Sequence, residues 1–131
     1  MDYGSKRVGL AATDPLGITI QPLPYLRYSG RTDLLEKLRS VIREKGIEKV
    51  VVGLPRSLDG SLGPKARECE ELARQIGKDS SVQVALQDES FTSREAEEIL
   101  IRDLGLSRAR RKEARDSLAA CLILKSFLAN P

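Results

Sequence analysis

Apolar and polar positions first alternate over KRVGLAATD, where Val8, Leu10 and Ala12 oppose Arg7, Gly9 and Ala11. A period of two predicts a strand. GITIQPLPYLRY is a second extended stretch, and its prolines, which cannot donate to a ladder, suit a sheet edge. The period then lengthens. Leu34, Leu35, Leu38, Val41 and Ile42 of TDLLEKLRSVIREKG fall on one helical face, closed by Gly46. IEKVVVGLP contains the unbroken run Val50 to Val52, typical of a strand buried on both faces. After the turn-rich loop RSLDGSLGP, the segment KARECEELARQIG places Ala66, Cys69, Leu72, Ala73 and Ile76 on a helical stripe expected to end at Gly77. SVQVALQDE alternates again on Val82, Val84 and Leu86 and stops at Asp88 and Glu89. TSREAEEILIRDLG opens with a capping box, Thr92 with Glu95, and runs to Gly105. A last helix is expected from about Arg110 to Leu128. This order of strands and helices reads as mixed α/β. No repeat, linker or low-complexity tract divides it, so residues 1–131 are taken as a single domain.

Composition changes the picture little. With 131 residues, 40% apolar and 31% charged, the chain has the makeup of an ordinary globular domain with one sizeable core. No apolar run approaches the roughly 20 residues of a membrane span, and no signal segment suggests export. Cys69 and Cys121 lie far apart in helical patterns, which fits reduced thiols in a cytosolic protein. A net charge of +3 permits a polyanionic partner without requiring one. The residue types present are more decisive. The chain has no histidine, which excludes Ser-His and Cys-His nucleophilic devices and histidine-ligated zinc. It also has no Gly-rich phosphate loop and no GxGxxG. Any chemistry falls to carboxylates, whose hard oxygens suit Mg²⁺ or Mn²⁺.

Three acids stand in settings that a solvated charge does not need. Asp2 precedes Gly4, which permits a tight turn. Glu89 closes a strand, and a period of two sets it on the face opposite Asp88, so the two do not share a task. Asp116 heads DSLAACLIL, with Ala119, Ala120 and Ile123 on its helical face. Such small neighbours let a helix bring a carboxylate close to a sheet. Just before it, SRARRKEAR holds Arg108, Arg110, Arg111, Lys112 and Arg115. This run is either a solvated surface or a phosphate-tracking patch. With two phenylalanines and three tyrosines, extensive base stacking is not expected; backbone and shape recognition is.

Taken in order, DYGSKRVGLAATDPLGITIQPL, VVGLP…DGS.GP, DE..T..EA and LS…RRK..RDSLAACLIL resemble the YqgF (RuvX) family of RNase H-like nucleases. The resemblance covers essentially the whole chain. It implies a five-stranded mixed sheet, three antiparallel strands followed by two parallel ones, flanked by helices. It also implies a nuclease maturing the 5′ end of pre-16S ribosomal RNA, related in fold to Holliday junction resolvases. By the same resemblance Asp2, Glu89 and Asp116 form the acidic metal-binding triad. Two Mg²⁺ or Mn²⁺ ions about 3.5–4 Å apart would suit such a triad, activating water and stabilising charge on both oxygens of the displacement. Lys6 and Arg7 are expected beside the substrate, and Asp88 either in support of the triad or as a backbone cap. Where the family usually reads Asp-Glu-Arg, this chain has Ser90, and Arg94 one helical turn later is expected to reach the same space. Cleavage of branched DNA, which usually needs a symmetric dimer, and non-catalytic nucleic-acid binding remain alternatives; the sequence reveals no oligomeric state.

The resemblance carries one further expectation. Family members have a run of apolar residues before the aspartate, forming a central strand. Here Met1 is expected to be an internal or artificial start, with that first strand largely missing. The gap would be closed by direct pairing of the flanking strands, by another chain, or by local disorder around a loosely anchored Asp2.

Overall fold

The structure is a computed structural model that describes residues 1–55, 62–89, 98, 101–102, 105 and 107–129, apart from the side chains of 112, 113 and 116. Three strands, β1 (Asp2–Tyr3), β2 (Arg7–Thr13) and β3 (Ile20–Arg27), form an antiparallel sheet in the order β1-β2-β3. β4 (Lys49–Leu54) and β5 (Gln83–Asp88) pair in parallel. Helix α1 (Gly30–Lys45) links β3 to β4, α2 (Pro64–Ser80) precedes β5, and α3 (Arg108–Ala129) is the last element. The fold class is the mixed, helix-flanked sheet expected from the sequence.

The two sheets meet through one residue. The Met1 amine donates to Val51 O, and Gly53 N donates to Met1 O at 3.0 Å. A single residue bracketed in this way, facing Val52, is a parallel bridge. Across the junction the strands therefore follow the order β3-β2-β1-β4-β5. On the other side β1 is tied to β2 by the pairs Asp2↔Gly9 and Tyr3↔Val8. The expected looseness around Asp2 is not what the structure has, because β2 pairs with Asp2 itself and β4 holds the adjacent Met1. β2 and β4 do not pair directly either. Beyond Met1 an apolar slot of about 120 Å³ separates them, its walls including Leu10, Ala12, Ile47 and Val50.

Alternation sorts the side chains into two layers. Val8, Leu10, Val52 and Leu54 point to the face covered by α1 and α2. There they meet Leu34 and Leu38 of α1 and the α2 stripe Ala66, Cys69, Leu72, Ala73 and Ile76. Each fully buried leucine or isoleucine of this layer contributes about 1.5–3 kcal/mol. α3 crosses the opposite face and touches all five strands, burying Ala120 and Ile123. Both α3 residues come from the face that the sequence assigns to Asp116.

Two element boundaries differ from expectation. α2 continues through Gly77 to Ser80, and Ser81 takes the left-handed cap at φ 55°. Gly77 is interior to the helix, and a Cβ there would make only an ordinary van der Waals contact with Val84 Cγ2, at 3.4 Å. The β2–β3 ladder also slips between Val8 and Leu10, a bulge that restores Leu23 opposite Leu10. The capping box of Thr92 and Glu95 lies outside the described residues. Nearby, Glu98, Ile101 and Arg102 are helical, and Ile101 is fully buried.

Candidate active site

The Asp2 segment is shaped by the turn that follows it. Gly4 N donates to Arg7 O at 2.9 Å, and any Cβ at position 4 would lie 2.5 Å from that oxygen, so the turn admits only glycine. Tyr28 Oη donates to Gly4 O at 2.6 Å and ties the turn to the end of β3. Burial, aided by the neighbouring Tyr3 hydroxyl, pushes the Tyr28 phenol upward, which keeps it a donor. The Tyr3 and Tyr28 rings stack 6.1 Å apart, and the Arg31 guanidinium and Lys65 ammonium stand 5.7 and 4.3 Å from the centre of the Tyr3 ring. Tyr3 packs on the α1/α2 layer, and adjacent strand residues face opposite ways. Asp2 is thereby turned toward α3.

Glu89 arrives at the same face from the other half of the sheet. Its backbone N–H donates to Leu54 O at 3.1 Å, extending the β4–β5 ladder by one step. Gly53 makes the room for its carboxylate. A Cβ on Gly53 would be 2.7 Å from Glu89 Oε1 and 2.4 Å from Ile123 Cδ1. Glu89 thus sits in a cleft roofed by α3 and floored by a strand that has no side chain there.

Asp2 and Glu89 also act on the same neighbours. The buried Met1 amine is pulled down from 8.0 to about 6, chiefly by loss of water, with Asp2, Glu89 and Cys121 opposing the shift. The Cys69 thiol is pushed up to about 11, again chiefly by burial; Lys65 opposes this, while Glu89, Asp2 and Glu68 add to it. Two acids remote in sequence therefore both lie within electrostatic reach of the Met1 amine, where the two sheets join. Asp88, the last residue of β5, pairs with Leu54 and is exposed.

The structure places the other expected residues unevenly. Asp116 belongs to α3, but its side chain lies outside the described residues. Its neighbour Ser117 donates from Oγ to Leu23 O at 3.3 Å, which fixes this turn of the helix on β3. Among the described residues no three acidic, cysteine or histidine side chains form a metal-ligand cluster. Lys6 is exposed beside the Gly4 turn, and Arg7 lies over the Tyr25 ring. Arg94 and Ser90 lie outside the described residues. Arg108, Arg110 and Arg115 are exposed on α3. Arg111 is drawn inward, with a buried Nε that has no hydrogen-bond partner among the described residues. The basic run is therefore not one uniform surface. Sequence reasoning missed Gly53, whose only signal is an isolated glycine inside a strand. It also missed Tyr25 and Arg27, which nothing in the sequence joins to Arg7.

A mixed sheet in the order β3-β2-β1-β4-β5, with carboxylates gathered beneath a C-terminal helix, is an RNase H-like arrangement. Residues 1–130 match the model of the RuvX family, described as Holliday junction resolvase, and the chain belongs to that family. Proteins named "Putative pre-16S rRNA nuclease" are among its relatives. That of Pelotomaculum thermopropionicum is 41% identical over 129 residues, covering 98% of this chain and 83% of the relative. That of Koribacter versatilis is 45% identical over 129 residues, with the same shares covered. That of Syntrophomonas wolfei is 40% identical over 128 residues, covering 98% of this chain and 90% of the relative. Among the described residues no helix is long and apolar enough to cross a membrane.

Proposed function

We propose that this protein is a divalent-metal-dependent nuclease that hydrolyses phosphodiester bonds in the 5′ region of pre-16S ribosomal RNA. The observation that supports it most is that Asp2 and Glu89 are brought to the same sheet junction, Glu89 in space that Gly53 leaves open. In a chain with no histidine, carboxylates are a hard oxygen donor set, which suits Mg²⁺ or Mn²⁺. Asp2, Glu89 and Asp116 would hold the ions. When bound, they supply an activated water and offset the charge on the attacking and leaving oxygens.

The chain's own part is positioning. The β1 bridge fixes Asp2, the extra ladder step at Leu54 fixes Glu89, and the Ser117 contact fixes the helical turn that bears Asp116. Exposed Arg108, Arg110 and Arg115, on the same helix, are suited to hold the phosphate backbone. The substrate assignment follows the names of the relatives. The family's description as Holliday junction resolvase supports a second reading, cleavage of branched DNA.

The test is cleavage of pre-16S RNA fragments and four-way DNA junctions, each with Mn²⁺ and with chelator. Asp2→Asn, Glu89→Gln and Asp116→Asn should each lose more activity than the roughly 10–100-fold typical of removing a residue that merely supports a metal ligand. Their circular dichroism should match the parent. Asp88→Asn should lose less. Full activity in Asp116→Asn, or cleavage that survives chelator, refutes the proposal; preference for the junction favours the DNA reading.

A further inference from the structure

The sheet face beneath α3 carries a second cluster, on β2 and β3. Arg7 of β2 and Arg27 of β3 are direct cross-strand partners, and Tyr25, two residues before Arg27, shares their face. The Arg7 guanidinium lies 5.2 Å from the centre of the Tyr25 ring and that of Arg27 5.6 Å. Arg27 also donates from Nη2 and Nε to Tyr25 Oη at 3.2 and 3.4 Å, which locks ring and cation into one unit. Lys37 donates from Nζ to Arg27 O at 2.6 Å and pairs with Asp33 at 3.2 Å, so α1 braces the end of β3. A groove opens between this edge and α3, lined by Tyr25, Arg27, Lys37, Arg110 and Ser117. Its far wall is thus the helical turn next to Asp116.

These are the parts of a nucleotide platform. A guanidinium offers paired donors that match a phosphate, and its plane, like a tyrosine ring, stacks on a base. A base within a duplex has both faces covered by its neighbours, so only an unpaired base could use such a platform. We propose that the groove between β3 and α3 binds an unpaired RNA strand. One base rests on the Tyr25–arginine unit, and adjacent phosphates meet Arg7, Arg27 and Arg110. The inference rests on the nuclease reading above and adds to it the form of the substrate, a single strand led along α3 toward the acids. It also refines the expectation from composition: stacking is confined to one position.

The experiment measures binding of a labelled single-stranded RNA, and of a duplex of the same sequence, by fluorescence anisotropy with chelator present. Tyr25→Ala should weaken single-strand binding by roughly five- to a hundredfold, the range for one stacked base, and leave duplex binding unchanged. Tyr25→Phe keeps the ring and should weaken it far less. Arg27→Gln should lower the salt dependence by about one phosphate contact. Circular dichroism checks the fold of each variant, and if Tyr25→Ala unfolds, Tyr25→Phe and Arg27→Gln still decide. Parental affinity in Tyr25→Ala, an equal loss on the duplex, or an unchanged salt slope in Arg27→Gln overturns the groove. A protein that binds through Tyr25 but fails the Mn²⁺ cleavage test refutes the nuclease and leaves the groove standing. One that cleaves while Tyr25→Ala binds as the parent does refutes only the groove.

Discussion

One methyl group at position 53 would collide with two partners of different kinds. Ile123 Cδ1 is an apolar contact across the sheet–helix interface, and Glu89 Oε1 belongs to the candidate site. Gly53→Ala should therefore lose about 1–3 kcal/mol of stability, as overpacked cores do, and most of its nuclease activity. Adding Ile123→Val removes Cδ1, though not the Cγ1 that would stand at 3.1 Å, and should recover part of the stability, read from urea midpoints. Activity should stay low, because the clash with Glu89 remains. Recovery of both together would show that Gly53 serves packing alone. At this scale the sequence is informative where chemistry is scarce. Asp2 and Glu89 stand out at a glycine turn and a strand end in a chain with no histidine. Gly53 does not, since a strand glycine signals close approach without naming what approaches. Tyr25 and Arg27 are invisible as a pair with Arg7 because only the β2–β3 register brings them together.

Among the elements, β1 is the shortest and has the most to do. In a chain that begins at Met1, its lead residue places an α-amine at a buried position against Val51 O, where loss of water lowers the amine's proton affinity from 8.0 to about 6. The folded state resists protonation more than the unfolded chain does. Below about pH 6 both states are protonated and the full cost of burying the charge is present. Above pH 8 neither is protonated and the cost is gone. Stability should thus rise by about 2–3 kcal/mol between pH 6 and 8, as two pKa units imply. Urea unfolding of the chain with a free Met1 amine measures this. An N-terminal acetyl group, which keeps an N–H for Val51 O but cannot be protonated, should flatten the curve. An equal slope in both forms would assign the effect to other groups. Most other elements are legible from hydrophobic period alone, including the proline-marked β3, which is an edge strand. The end of α2 is not, because a glycine inside a helix looks the same in sequence as one that caps it.

At the scale of the molecule, fold class and strand order follow from alternation and from the family's motifs. The junction of the two sheets does not, since it depends on which backbone groups of Met1 find partners. That junction has a consequence for how the protein loses function. Among the described residues the sheet is continuous there through only two hydrogen bonds, whereas the β2–β3 and β4–β5 ladders have many. Partial opening is cheapest where the fewest bonds and the least buried surface hold two parts together. Such a parting sends Asp2 off with β2 and β3, and Glu89 with β4 and β5. The three helices, whose packing spans the seam, can stay helical while the pair of acids is already undone. In a urea series, cleavage should fail at a lower concentration than helical ellipticity, and coincident midpoints would refute this. Activity would then act as a strain gauge for a seam that bulk spectroscopy does not see.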